Sequence, residues 1–282
     1  MPGRTPPDPA MLDRLERYYD LVPRVAARTE EVGPFTLFVS TGAWPFYARP
    51  RLGLDRSVTL SDVLDVLVRQ RELGVPQALE WVAETTPSLA AAARAAGLQV
   101  DLLPLMVLVM PPITIPPPPG VAVRLLRADD PSIAAAQVVS RLGFDAPGTA
   151  PGPAGGLDRD AELQTHDAAT DAFVRGLIDS GHLVTAVAEG AQEGVLAVGN
   201  HAPRADVSEV LGVATLPAAR RHGIGAALTS LLVDDALGRG VDTVFLSAGS
   251  EEIARVYERV GFHRAATAGI AHPVPATPAT SD

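Results

Sequence analysis

The chain is 282 residues long, with 33 Asp and Glu against 23 basic residues, all of them Arg, and a net charge of -10. Apolar residues make up 47% and charged residues 20%, which excludes wholesale disorder and gives room for one or two packed domains. The absence of Cys removes disulfides, thiolate metal sites and any covalent cysteine intermediate, and the acidic balance argues against nucleic acid as a partner. The charge is uneven. Residues 1–119 carry 11 Arg against 13 acidic side chains, and residues 120–282 carry 12 against 20, so the second half holds a net -8 that favours a cationic small substrate.

Met1 to Ala10 contains four prolines and no apolar core, so it does not read as a signal peptide. A helix is predicted from Pro9 to Arg28, followed by a strand over Phe35 to Val39. Ser40 to Leu54 is rich in aromatics and Arg. Its Trp44, Phe46 and Tyr47 form either an acceptor pocket or a small core. A helix follows at Ser61 to Leu73, then a strand at Leu79 to Val82 and an Ala-rich helix at Pro87 to Ala96. The apolar run Leu102 to Met110 is short of the roughly 20 residues of a membrane span and contains Pro104. No membrane role is expected, and the reading is a cytoplasmic protein.

Pro111 to Gly120 cannot be helical and reads as a stiff linker. It divides the chain into a domain at 1–110, a linker at 111–120 and a domain at 121–282. The second domain alternates strand and helix signals: a strand at Val121 to Leu126, a helix at Ile133 to Leu142, a Gly/Pro-rich mobile loop at Asp145 to Gly156, and a helix at Ala161 to Ile178. Strands follow at Leu183 to Ala188, Val195 to Gly199 and Ser208 to Thr215. A helix spans Gly223 to Leu237, then a strand Val244 to Ser247 and a helix Glu251 to Val260.

The strand ending at Thr215 runs through Arg220-Arg221-His222-Gly223-Ile224-Gly225 directly into a helix. That is anion-capture geometry: unpaired N–H groups and the positive helix end face a phosphate, and glycines let it approach. The spacing R-x-x-G-x-G fits neither a dinucleotide fold nor a P-loop. It resembles the acetyl-CoA loop of the GCN5-related N-acetyltransferases (GNAT). A second motif of that family recurs at Val256-Tyr257-Glu258-Arg259-Val260-Gly261-Phe262, and the resemblance covers Val121 to about Ala271.

The resemblance implies an α/β fold with a mixed, mostly antiparallel central sheet flanked by helices. It implies an enzyme in which a primary amine of a small molecule or peptide attacks acetyl-CoA directly in a ternary complex. By position, the Val213 N–H meets the acetyl carbonyl, and Ala214 and Thr215 lie along the pantetheine arm. Arg220, Arg221, His222, Gly223, Ile224, Gly225 and Ala226 hold the pyrophosphate. Ser250 replaces the family's usual Asn on the pantetheine arm. Tyr257 is the acid for the leaving thiolate or else a packed core aromatic. Glu209 is the base or else a solvent-facing strand residue, with Asp206 or ordered water as alternatives. The resemblance leaves a homodimer open. The rival reading is a CoA-binding regulatory or scaffold module without turnover. The six His show no ligand spacing, so no metal is expected, and the G-x-S-x-G elbow of a serine hydrolase is absent.

The first half mirrors the second at a constant offset of 164. Leu64 falls on Leu228, Leu67 on Leu231, Leu73 on Leu237, Gly74 on Gly238, Ala90 on Ala254 and Gly97 on Gly261. A degenerate, truncated copy of the same fold is expected there. Thr59 and Ser61 stand in place of Gly223 and Gly225, and Ala93 in place of Tyr257, so this copy should not bind the cofactor.

Overall fold

The computed structural model describes residues 7–274, which divide into two compact units. The first comprises residues up to Leu103 together with the C-terminal stretch from Ala266, and the second runs from Pro104 to Ala265.

In the first unit, α1 (Pro9–Leu21) starts where the Asp8 carboxylate accepts from the Ala10 N–H at 3.0 Å. It stops well short of the expected Arg28 because Pro23 cannot continue the helix; the chain passes through one 3₁₀ turn into an unforeseen strand, β1 (Ala27–Val32). Next come β2 (Phe35–Ser40), β3 (Ala48–Pro50), α2 (Leu60–Glu72), β4 (Leu79–Val82) and α3 (Leu89–Ala95), after which β5 (Leu98–Leu108) begins. β1–β2 and β2–β3 are antiparallel, and β3–β4 is parallel through a single pair, Ala48 with Leu79. The core gathers Phe35, Leu37, Val63, Val66, Trp81 and Leu89. Trp81 is matched by Gly269 on the neighbouring strand, where a Cβ would lie 2.2 Å from the indole.

Trp44, Phe46 and Tyr47 are half-buried and lie outside the core cluster of the first unit. Tyr47 packs edge-on against Phe38 and Phe46, and the buried Arg49 guanidinium lies 4.1 Å from the centre of the Tyr19 ring. Arg49 stands between two carboxylates, Glu16 at 3.4 Å and Glu80 at 3.8 Å.

The second unit holds the rest of β5, then β6 (Val121–Leu125), α4 (Ile133–Asp145), α5 (Gly156–Leu163), α6 (Ala168–Asp179), β7 (Val184–Gly190), β8 (Gly194–Arg204), β9 (Val207–Thr215), α7 (Ile224–Gly238), β10 (Thr243–Ser247), α8 (Glu251–Glu258) and the start of β11 (Phe262–Pro273). The helix expected over Ala161 to Ile178 is two helices, because Asp167 caps a new start by accepting from the Ala169 N–H. The strands lie in the order β5-β10-β9-β8-β7-β6; β9–β10 is parallel and the other pairs are antiparallel, which is the expected mixed sheet. α7 and α8 cover one face through Leu228, Leu232, Val244, Leu246 and Ala254. Gly199 is obligatory under α7, since a Cβ there would press on Leu232, Val213 and Leu228 at 3.0–3.3 Å. α4 covers the other face, where Gly143 brings its backbone against Ala214.

The 164-residue repeat is structural. Leu60, Leu79 and Leu98 begin α2, β4 and β5, and their counterparts Ile224, Thr243 and Phe262 begin α7, β10 and β11. The last strand of each repeat ends in the other unit: Leu105–Val107 of β5 pair with β10, and Ala268–Ala271 of β11 pair with β4. The compact units therefore divide within β5 and β11 rather than at the proline run. Residues 109–120 form no helix or strand, yet they are tied down. Ile115 N–H donates to Ser230 Oγ at 3.1 Å, and Ile113 N–H to the Val260 carbonyl at 3.3 Å. No helix among the described residues is long and apolar enough to cross a membrane.

Burial raises the Glu80 carboxyl from 4.5 to about 7, against the opposing pull of Arg49 and a Tyr47 hydrogen bond. The unfolded chain therefore ionises Glu80 first, and stability should fall as pH rises from about 4.5 to about 7, then level off. Thermal melts across this range should show that slope in the native chain and a flatter one in Glu80→Gln; identical slopes would contradict the burial argument.

Candidate active site

The site is built where two parallel strands separate. β9 and β10 pair only through Val207–Thr243, Ser208–Val244 and Glu209–Phe245, and beyond Glu209 they part. On its other side β9 is irregular, with Leu211 opposite Asn200 and Ala214 opposite Val198. Gly212 and Val213 thus fall outside the ladders to β8 and β10, and Gly212 takes a φ of +61° that favours glycine. Val213 therefore has no ladder partner on either side. This is the place where a backbone N–H can meet a ligand.

Glu209 occupies the last paired position, at the root of the opening. Its neighbours Ser208 and Val210 are buried on the α7 side, so strand alternation sends the Glu209 side chain to the opposite face. Tyr257 packs on the α7/α8 side, its ring 6.1 Å from that of Phe262 in an edge-on contact. The two expected catalytic residues therefore lie on different faces of the sheet. Burial pushes the Tyr257 phenol up to about 12, so it is protonated at neutral pH.

After Thr215 a 3₁₀ turn at Pro217–Ala219 leads into the loop before α7. Arg221 and Gly223 both have positive φ, +67° and +81°, which folds the loop tightly over the helix start. Gly223 is the N-cap, and no side chain caps α7; the first intrahelical bond runs from Ala227 N–H to the Gly223 carbonyl at 3.1 Å. The N–H groups of Ile224, Gly225 and Ala226 precede that bond. A Cβ at Gly223 would touch nothing within 4 Å, and one at Gly225 only Thr215 Oγ1 at 3.7 Å. Packing within the protein does not demand glycine at 225. His222 is exposed, with Nδ1 3.3 Å from the Ala219 carbonyl.

The two arginines differ from the expectation that both supply charge to a phosphate. Arg220 directs its donors inward, Nε to the Thr215 carbonyl at 3.2 Å, Nη1 to Ala150 at 3.1 Å and Nη2 to Gly143 and Ala146 at 2.7 Å each. It closes the C-terminal end of α4 and fastens the 145–156 loop, with its own pKa lowered by burial. Arg221 is 59% exposed, donates from Nε to the Thr149 carbonyl at 3.1 Å and pairs with Glu252 at 2.9 Å. Further bonds from Gly152 N–H to Pro217 and from Ala218 N–H to Ala154 pin the loop that the composition marks as mobile. The Gly/Pro content was legible, but the distant arginine that anchors it was not. Ser250 caps α8, its Oγ accepting from the Ile253 N–H at 3.2 Å.

Sequence inspection missed a buried line of polar groups. His201 Nδ1 lies 2.9 Å from Ser208 Oγ, and Nε2 lies 2.9 Å from Asp235 on α7. Ser208 and His201 are fully buried, and burial lowers the His201 pKa despite Asp235. This resembles a hydrolase triad in connectivity only; it ties β8, β9 and α7 together. No cluster of metal-ligating side chains occurs among the described residues.

The counterpart helix in the first unit is closed at the same point. Thr59 caps α2 by accepting from the Asp62 N–H, and Asp62 accepts from the Thr59 N–H at 2.8 Å. Arg56 adds two 2.8 Å bonds to the same carboxylate, holding it far below the ordinary range. A carboxylate of the chain itself thus stands at the start of α2, where no side chain caps α7.

Residues 154–262 match the sequence profile of the Acetyltransferase (GNAT) family. The parted strands and the glycine-capped helix lie in this stretch, which falls within the second unit. Over 94% of its length the chain is similar to a GCN5-related N-acetyltransferase from Kribbella flavida, at 20% identity and a TM-score of 0.69, covering 96% of that chain. A GCN5-related N-acetyltransferase from Sphaerobacter thermophilus is matched over 92% of this chain and 84% of that one, at 15% identity and 0.53. A tandem GNAT protein from the clavulanic acid biosynthesis pathway is matched over 86% and 79%, at 14% identity and 0.53. These likenesses extend the GNAT fold to the first unit. No curated protein matches the chain.

Arg220→Gln should lower stability by about 2–3 kcal/mol, since one guanidinium serves four carbonyls. Arg221→Gln, at an exposed pair, should cost less than about 1 kcal/mol. Denaturant titration of both variants checks the difference; equal losses would show that Arg220 is not the anchor.

Proposed function

We propose that the chain is an acetyl-CoA-dependent N-acetyltransferase acting on a primary amine of a small molecule or peptide. The observation that carries this reading is the union of the opened β9 strand with the glycine-capped, otherwise uncapped start of α7. Three free amides at a helix start attract a diphosphate, and the absence of any internal reason for Gly225 fits a surface kept clear for a ligand. Acetyl-CoA fits this cradle: its diphosphate would be held by the amides of Ile224, Gly225 and Ala226 and the exposed Arg221, with His222 at the rim. Arg220 supports the cradle from behind. Its thioester arm would follow Thr215, Ala214 and Val213, and Ser250 retains a hydroxyl proton to donate to that arm.

As co-substrate, acetyl-CoA supplies an activated acyl group, and the amine nitrogen forms its bond to the acyl carbon as the carbon–sulfur bond breaks. The Val213 N–H stabilises the charge that grows on the acyl oxygen, an effect of about 2.7–4 kcal/mol in comparable sites. Tyr257, protonated at neutral pH, donates to the departing sulfur. Glu209, at the root of the opening, takes a proton from the incoming ammonium, and the neutral amine then attacks. The net -8 of the second half favours a cationic acceptor.

Gly223→Glu places a carboxylate and a side chain where φ is +81°, so acetyl-CoA binding should be lost while circular dichroism stays native. Unchanged affinity would remove the loop from the site. Tyr257→Phe should cut turnover roughly 10²-fold with a panel of primary amines, with little change in acetyl-CoA affinity. Binding without transfer to any amine, in the native chain, would favour the regulatory module instead.

A further inference from the structure

The first unit has closed its phosphate cradle but not the space beside it. Two adjoining cavities of about 310 and 260 Å³ open there, on either side of the loop Arg51–Leu54. The smaller is walled by the end of β3, the β3–α2 loop and the β4–α3 loop, with α1 along its side. Its counterparts in the second unit are the end of β9, the β9–α7 loop and the β10–α8 loop, where Thr86 falls on Ser250 under the repeat. β3 and β4 also share one ladder pair and then separate, as β9 and β10 do after three. By the repeat, this cavity corresponds to the place where the proposed acetyl-CoA arm would run in the second unit, while Asp62 already occupies the start of α2.

The lining defines what such a slot accepts. Leu12, Pro50, Leu52 and Leu54 give an apolar wall, and Leu52 is 47% exposed at its rim. Asp13 and Glu16 of α1 bring carboxylates to the same cavity. Glu16 accepts from Thr85 Oγ1 at 2.6 Å and from Arg49 at 3.4 Å, which leaves acceptor capacity on its two oxygens. The one guanidinium in the lining, Arg51, is turned to Glu31 at 2.8 Å. Asp13 pairs with the exposed Arg17. An anion would meet two carboxylates here. A cation with a hydrocarbon body would satisfy both walls.

We propose that this cavity is a second, non-catalytic ligand site for a small, phosphate-free primary amine, its ammonium at Glu16 and Asp13 and its apolar body against Leu12, Leu52 and Leu54. A volume near 260 Å³ suits a compact monoamine rather than a cofactor. The proposal goes beyond the acetyltransfer reading: the unit lacks counterparts of Gly223 and Tyr257, so an amine held there is bound and not acetylated.

Phenethylamine titrated into the intact chain by calorimetry, without acetyl-CoA, tests this. Saturable binding is expected, weakened at least tenfold by Asp13→Asn with Glu16→Gln, absent for phenethyl alcohol, and retained in Gly223→Glu. Should the Glu16 change disturb folding through Arg49, Leu52→Arg at the exposed rim is the second variant, and it should repel the amine equally. No saturable binding, equal binding of the alcohol, or binding indifferent to Leu52→Arg would overturn the proposal. Amine binding with no acetyl-CoA binding would leave this site standing and sink the acetyltransferase reading, so the two fail separately.

Discussion

The first amides of an α-helix have no partner within the helix, and the two halves of this chain meet that demand in opposite ways. At α2 the Thr59 hydroxyl and the Asp62 carboxylate supply acceptors from within, in a closed capping box whose carboxylate Arg56 holds in place. At α7 the cap is a glycine with positive φ, and the amides behind it face outward. One solution yields a closed helix start; the other leaves the first amides of α7 without a capping side chain. The second requires support, because Arg221 sits in the left-handed region as a non-glycine. Arg220 provides it by joining the loop to the end of α4.

The same division of labour runs through the sheets. Each repeat gives its final strand to the other unit, so β4 needs the C-terminal strand and β10 needs the end of β5. Trp81 shows how closely the exchanged strand is fitted, since only a glycine can stand at 269. In the second unit the parting of β9 from β10 after Glu209 leaves Val213 without ladder partners, and the irregularity at Gly212 is what permits it. A polar line from Ser208 through His201 to Asp235 holds β9 to α7 beside that opening.

Much of this was legible in the residues. Periodicity and glycine placement located α2, β4, β9, α7 and β10 closely, and the constant offset exposed the repeat because both copies kept their spacing from Leu60 to Leu98 and from Ile224 to Phe262. β1, β5 and β11 escaped notice, since ARTEEV is polar, β5 contains Pro104, and β11 is rich in Ala and Gly with weak strand preference. The division of the compact units is hidden for a related reason: prolines announce the end of an element, whereas strand exchange is a long-range pairing that leaves no local mark. The inward turn of Arg220 was equally hidden, because its four acceptors are backbone carbonyls, which any sequence supplies. That Glu209 and Tyr257 occupy opposite faces follows from β9 alternation, once Ser208 is seen to point at His201.

The account rests on the open start of α7. Calorimetric titration of acetyl-CoA into the intact protein tests it most directly. The account predicts saturation at one site per chain, through α7 alone. Two sites would contradict the closure of α2 by Asp62, and no binding would contradict the reading of α7 as an anion cradle.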